Sequence, residues 1–210
     1  MTNSSAKSLT LWSPILILLV AFTIAFLAGN VLGVWVWVPI MIAYWFLIAL
    51  IIWANGGKPL VFRWLAPSKG AWYWNGLALI LVLPLLPSFI GNIHFYSEWW
   101  ILLLTIVVSL VNPWFEEAYW RGLLLDHTSE WSNWKSLLFS SAFFAINHLP
   151  LAIHSIAIRY TIIPVFVMGL VWGIVYKKTK SLRWVILGHI LVNLFSLMIP
   201  AFMNLLLPPG

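Results

Sequence analysis

Residues 99–125 read WWILLLTIVVSLVNPWFEEAYWRGLLL, and no ionisable side chain interrupts them before Glu116. A helix needs about 20 apolar residues to cross the hydrocarbon core of a bilayer, and this run is long enough. Outward from it, comparable apolar runs cover roughly 9–29, 34–54, 71–91, 136–149, 160–176 and 184–206, which makes seven. Hydrophobic residues form 63% of the chain and charged ones 8%, whereas soluble domains carry about 25% charged residues. A soluble fold of this length has no place for so much apolar surface, because most of its area faces water. The predicted fold is therefore all-α: a polytopic transmembrane bundle of about seven helices. It forms one integral membrane domain over 1–210, with its motif-bearing core at about 99–206. The 16 Trp residues fit this reading, since amphipathic rings favour the headgroup level.

The first run is too long for the ~7–15-residue core of a signal peptide, and Phe26 spoils a cleavage site after Ala28. A retained helix is expected. Asn55-Gly56-Gly57-Lys58-Pro59 and Pro67-Ser68-Lys69-Gly70 mark turns between runs. Pro84 and Pro87 should break or kink the third run. The fifth run is short and is expected to begin earlier, around Trp131. Alternate threading of seven spans puts nine basic residues on one side: Lys7, Lys58, Arg63, Lys69, Lys135, Lys177, Lys178, Lys180 and Arg183. Arg159 alone falls on the other side, and Arg121 lies inside a span. That asymmetry predicts a cytoplasmic N-terminus. It also accounts for the net charge of +6 without nucleic acid, which would need a continuous basic stripe. With no cysteine, thiol catalysis and disulfides are excluded.

An ionisable group near the bilayer centre costs about 2.5–3.5 kcal/mol on insertion scales, so each one needs a reason. Glu116 and Glu117 are adjacent within an apolar helix. Glu117 and Arg121 are four apart and can pair on one face, while Glu116 points about 100° away. The spacing suggests Glu117–Arg121 as a structural anchor and Glu116 as the free group. A purely structural ion-pair cluster is the competing reading. Phe144 and His148 share a face in the fifth run, and His189 and Asn193 share one in the seventh. Taken singly, each of these fits an interhelical hydrogen bond. Counted at about 1.5 Å per residue from the basic ends, Glu116 lies roughly 15 Å in, His148 roughly 20 Å and His189 roughly 9 Å. Helix tilt of about 20° absorbs that spread, so one shared layer is expected. His94, His127, His154 and Glu98 fall in loops or at membrane edges and are expected to be solvated.

Glu-Glu-x-x-x-Arg at 116–121, Phe-x-x-x-His at 144–148 and His-x-x-x-Asn at 189–193 follow one another on separate apolar helices. This ordered set resembles the CAAX-protease and bacteriocin-processing family of intramembrane endopeptidases, which includes many bacterial Abi proteins. The resemblance covers roughly 112–197. It implies that Glu116 and His148 activate a water against a peptide carbonyl, that His189 and Asn193 stabilise the oxyanion, and that Glu117, Arg121 and Phe144 support the site. It further implies a peptide or membrane-anchored protein as substrate, in a prokaryotic plasma membrane. Family members have been described as metalloproteases, and Glu116, His148 and His189 offer a carboxylate and two imidazoles, a donor set of catalytic zinc sites. One zinc ion is permitted. Metal-free chemistry is favoured, because no His-Glu-x-x-His is present. The chain departs from the CAAX-cleaving members in having seven runs where eight spans are typical.

Two other classes compete. A non-catalytic immunity or binding protein could keep the same motifs. A transporter could use buried Glu and His with a proline-broken third helix, although no internal repeat is visible.

Overall fold

The computed structural model describes residues 3–206, and among these there is no strand. The helices are α1 (Asn3–Leu32), α2 (Trp37–Ala54), α3 (Gly57–Trp64), α4 (Trp72–Ile80), α5 (Leu86–Asn92) and α6 (Trp99–Glu117). After a π-helical turn at Ala118–Leu123 come α7 (Leu124–His127), α8 (Asn133–Ile146), α9 (Leu149–Ala152) and α10 (Ile156–Arg159). The last three are α11 (Ile162–Thr179), α12 (Arg183–Phe195) and α13 (Met198–Phe202). Each predicted apolar run coincides with a helical segment. Lys7–Ala54, Trp72–Ser97, Trp99–His127 and Ile162–Thr179 are long and apolar enough to cross a membrane, and Arg183–Phe195 is shorter. This is an integral membrane helix bundle.

Lys7–Ala54 holds two of the predicted runs. Gly33 takes φ +53° in a 3₁₀ turn between them, a backbone state that glycine adopts without steric cost. The chain then folds back, so that Thr10 near the start of α1 donates to Asn55 Oδ1 at the end of α2 (3.2 Å). Pro14 lies inside α1 and has no N–H for the Thr10 carbonyl; Ser13 Oγ donates to that carbonyl instead (2.8 Å).

The third run breaks where its prolines predict. α4 stops at Ile80, Leu83–Leu85 forms a 3₁₀ turn, and α5 restarts at Leu86. The Val82 amide turns to Leu79 O, and Ala78 O accepts the Trp172 indole N–H at 3.0 Å. The fifth helix starts at Asn133, with Ser132 Oγ accepting from the Lys135 amide, whereas Trp131 stays outside and packs its ring on Phe139.

The basic residues gather at one end. Lys7 pairs with Glu130 (2.6 Å), Arg63 with Asp126, and Lys177 with Asn133 Oδ1 (3.2 Å). Arg183 Nε reaches Leu65 O (2.6 Å), and the Lys69 amide reaches Thr179 O (3.0 Å). Arg159 lies at the other end, donating to Ala152 O (3.0 Å). Exposed Trp53, Trp72, Trp134 and Trp184 ring the basic end at helix termini, and Trp35 and Trp99 the opposite end. Such belts mark the two interfaces of a bilayer. His154 differs from its expected solvated state. It is half-buried, its Nε2 is bonded to Ala25 O at 3.1 Å, and it packs where a Cβ on Gly29 would stand 2.0 Å from the ring.

Small residues set the helix spacing, as is usual where lipid gives no hydrophobic drive between helices. A Cβ at Gly169 would stand 2.9 Å from Ser141 on α8, and one at Gly188 only 2.3 Å from the Ala78 backbone oxygen. The second of these is a backbone contact and cannot relax by rotamer change. Gly188→Ala is therefore expected to destabilise the fold by about 1–3 kcal/mol, read as a lower unfolding midpoint in detergent. The cysteine-free background allows a topology test. Single cysteines replacing Lys69 and Lys180 should label from one face of sealed vesicles, and one replacing Arg159 from the other.

Candidate active site

Two adjacent carboxylates enter the bundle at the end of α6, both essentially inaccessible to solvent (Glu116 4%, Glu117 0% exposed). The π-helical turn begins immediately after them. Such turns often accompany functional sites, because the widened backbone re-aims side chains. Here it turns Trp120 and Arg121 inward, and Trp120 O accepts Ser140 Oγ at 2.6 Å. Gly122 closes the turn against Trp64, whose ring would lie 2.7 Å from a Cβ there.

Glu117 is the anchor. Its Oε1 accepts Arg121 Nη1 (3.0 Å) and His189 Nδ1 (2.7 Å). The guanidinium also sits over Phe144, 4.1 Å from the ring centroid, and 5.5 Å from that of Trp172. Cation–π attraction thus supplements one ion pair in a dry setting. The predicted Glu117–Arg121 pair forms, and Glu117 additionally orients a histidine.

His189 is held on three sides. Because a carboxylate only accepts, the Glu117 contact assigns the proton to Nδ1, and Nε2 then faces Glu116 Oε2 at 3.4 Å. Trp172 stacks on the imidazole at 4.7 Å between centroids, with its own N–H tied to Ala78 O. The proline break in the third run therefore supplies the carbonyl that fixes the platform under His189.

His148 follows α8, at the break before Pro150, which has no N–H to donate to Ile146 O. The His148 amide turns to Ala145 O (3.0 Å), and Nδ1 donates to Phe144 O (2.9 Å). The helix end thereby sets the tautomer and leaves Nε2 as an acceptor. The Phe144 ring meets the His148 and His189 rings edge-on, at 5.1 and 6.3 Å. Phe144 and His148 share a face as their spacing predicts, and the Phe144 ring touches both imidazoles and the guanidinium.

Glu116, Phe144, His148, His189 and Asn193 line one cavity of about 130 Å³. The rest of its wall is largely apolar, with Ile40, Leu151, Val165 and Phe202 among the contributors. Asn193 Nδ2 is buried with no hydrogen-bond partner, as is Asn147 Oδ1 on the same cavity wall. A free donor of this kind suits a developing oxyanion.

Tyr44, Asn112 and Trp172 also belong to this site, with no role assigned to them from sequence. Tyr44 donates to Glu116 Oε1 (2.9 Å) and Asn112 Nδ2 to Oε2 (2.6 Å). A signal existed for Tyr44. It stands in mid-run, where an interfacial tyrosine has no reason to be and a buried hydroxyl needs a partner.

Both histidines carry outer contacts of the type that metal-ligating imidazoles make, Nδ1–H to a carboxylate and to a backbone carbonyl. Among the described residues, however, no three His, Asp or Glu side chains converge as a metal-holding group. As arranged, Glu116, His148 and His189 do not fit a three-ligand zinc centre.

Comparison with curated proteins and with solved structures finds no match. The family model described as type II CAAX prenyl endopeptidase Rce1-like matches residues 97–195, just under half of the chain. That segment contains every motif residue that meets at the cavity. Over that segment, the chain is similar to the Rce1-like type II CAAX prenyl endopeptidases.

Proposed function

We propose that the protein is an intramembrane endopeptidase in which Glu116 and His148 activate a water without a metal step. The observation that carries this reading is the meeting of four side chains from three helical segments, Glu116, His148, His189 and Asn193, around one small cavity.

Glu116 and the His148 Nε2 position are both acceptors, so a water between them presents its oxygen lone pair to a peptide carbonyl. Attack forms a C–O bond, and the water proton passes to Glu116. Asn193 Nδ2 donates to the oxyanion. His189 Nε2, 3.4 Å from Glu116 Oε2, takes a share of that proton, with Glu117 balancing the resulting imidazolium through Nδ1. Collapse breaks the C–N bond, and the proton held by Glu116 and His189 leaves on the amine. Arg121 and Phe144 hold Glu117 and the imidazoles in place. The substrate is a peptide or membrane-anchored protein whose scissile bond lies within or beside the bilayer, and the basic end faces the cytoplasm of a prokaryotic cell.

The test compares the parent with Glu116→Gln and His148→Ala, each purified into lipid nanodiscs. The variants and parent are incubated with host membrane proteins, and new peptide termini are read by mass spectrometry. Termini produced by the parent should fall at least about 100-fold in both variants, with insertion unchanged. Variants that generate the same termini, or that protect host cells from a peptide toxin as well as the parent does, defeat the hydrolase reading.

A further inference from the structure

Tyr44 and Trp45 lie on α2, outside the matched segment 97–195, in the middle of an apolar run. Both reach toward Glu116, by separate routes. Trp120 Nε1 donates to the Tyr44 hydroxyl oxygen (2.7 Å), and the Tyr44 hydroxyl donates to Glu116 Oε1 (2.9 Å). Trp45 Nε1 donates to Asn112 Oδ1 (2.8 Å), and Asn112 Nδ2 donates to Glu116 Oε2 (2.6 Å).

Chemistry forces the direction of both chains. An indole N–H can only donate, so Tyr44 must accept from Trp120 and has one proton left, which goes to Glu116. In the same way, Trp45 fixes which end of the Asn112 amide is the oxygen and so turns the NH₂ to Glu116. Neither branch can reverse. A carboxylate has about four acceptor positions over its two oxygens. Oε2 uses one for Asn112 and Oε1 uses one for Tyr44, while the unprotonated Nε2 of His189 stands 3.4 Å from Oε2 and donates nothing to it. Each oxygen therefore keeps acceptor capacity beyond its one donor.

A glutamate carboxylate otherwise rotates easily, because its last torsion is broad rather than confined to narrow wells. Trp45 adds a second constraint by stacking on Phe115, the residue before Glu116, at 5.8 Å and 15°. We propose that Tyr44 and Trp45 are positioning residues that lock the Glu116 carboxylate and hold its remaining acceptor capacity for the reacting water. This deepens the hydrolase reading and rests on it for the catalytic consequence, while the hydrogen-bond network can be measured without any substrate.

The chain has only four glutamates, Glu98, Glu116, Glu117 and Glu130. Infrared spectra of ¹³C-glutamate-labelled protein, minus those of Glu116→Gln, isolate the Glu116 carboxylate band. Tyr44→Phe and Trp45→Phe should each shift and broaden that band. Each should also lower kcat about 10- to 100-fold with KM within about twofold, since Tyr44→Phe removes a hydrogen bond to the carboxylate and Trp45→Phe releases the Asn112 amide that makes the other. An unchanged band, or a raised KM with kcat intact, overturns the proposal. Should Tyr44→Phe fail to fold, Trp120→Phe removes only the outer link and should shift the same band by less; no shift there overturns it too. A shifted band in a protein whose parent cleaves nothing retains the network but removes the hydrolase reading, and with it the positioning role.

Discussion

The structure turns on the burial of two neighbouring carboxylates inside a lipid-embedded bundle. Unpaired, either would be costly enough to oppose insertion. The two are compensated differently. Glu117 has a full positive charge at 3.0 Å and an imidazole N–H at 2.7 Å. Glu116 receives two neutral donors instead, from Tyr44 and Asn112, and faces His189. One guanidinium against two carboxylates leaves a single negative charge uncompensated by cations nearby, and the cavity is where it lies.

Interruptions of helical regularity supply the parts that hold this arrangement. At the break in the third run the Val82 amide turns to Leu79 O, which leaves Ala78 O to the Trp172 indole, and Trp172 stacks on His189. The break before Pro150 leaves Phe144 O to the His148 imidazole. The π-helical turn brings Trp120 and Arg121 inward, with Ser140 tying down its backbone. In lipid, no water is at hand to satisfy a backbone carbonyl exposed by a broken helix. Each break must find a side-chain donor, and in these places the donor is part of the site or its support.

The site divides between two portions of the chain. The groups proposed to react come from the segment matched by the family model, whereas α2 supplies Tyr44 to Glu116 and Trp45 to Asn112, which in turn donates to Glu116. Close approach depends on glycine, with Gly188 against the α4 backbone and Gly169 against α8. These contacts let the short α12 bring both His189 and Asn193 to the cavity wall.

Hydrophobic runs, their proline and glycine punctuation, and the one-sided distribution of lysine and arginine were enough to predict a helical membrane bundle. Lipid enforces a local rule on every span, so that part of the fold is legible residue by residue. Helical spacing likewise predicted the Glu117–Arg121 pair and the Phe144–His148 face, because neighbours four apart are set by the helix alone. What tertiary packing decided was partnership between segments: Tyr44 with Glu116, His189 shared between two carboxylates, Trp172 beneath the imidazole. Those contacts join residues far apart in the chain, and no local period encodes them. His154, read as a loop residue, proved to be packed against α1 for the same reason. Which donors reach Glu116 follows only from how the helices cross.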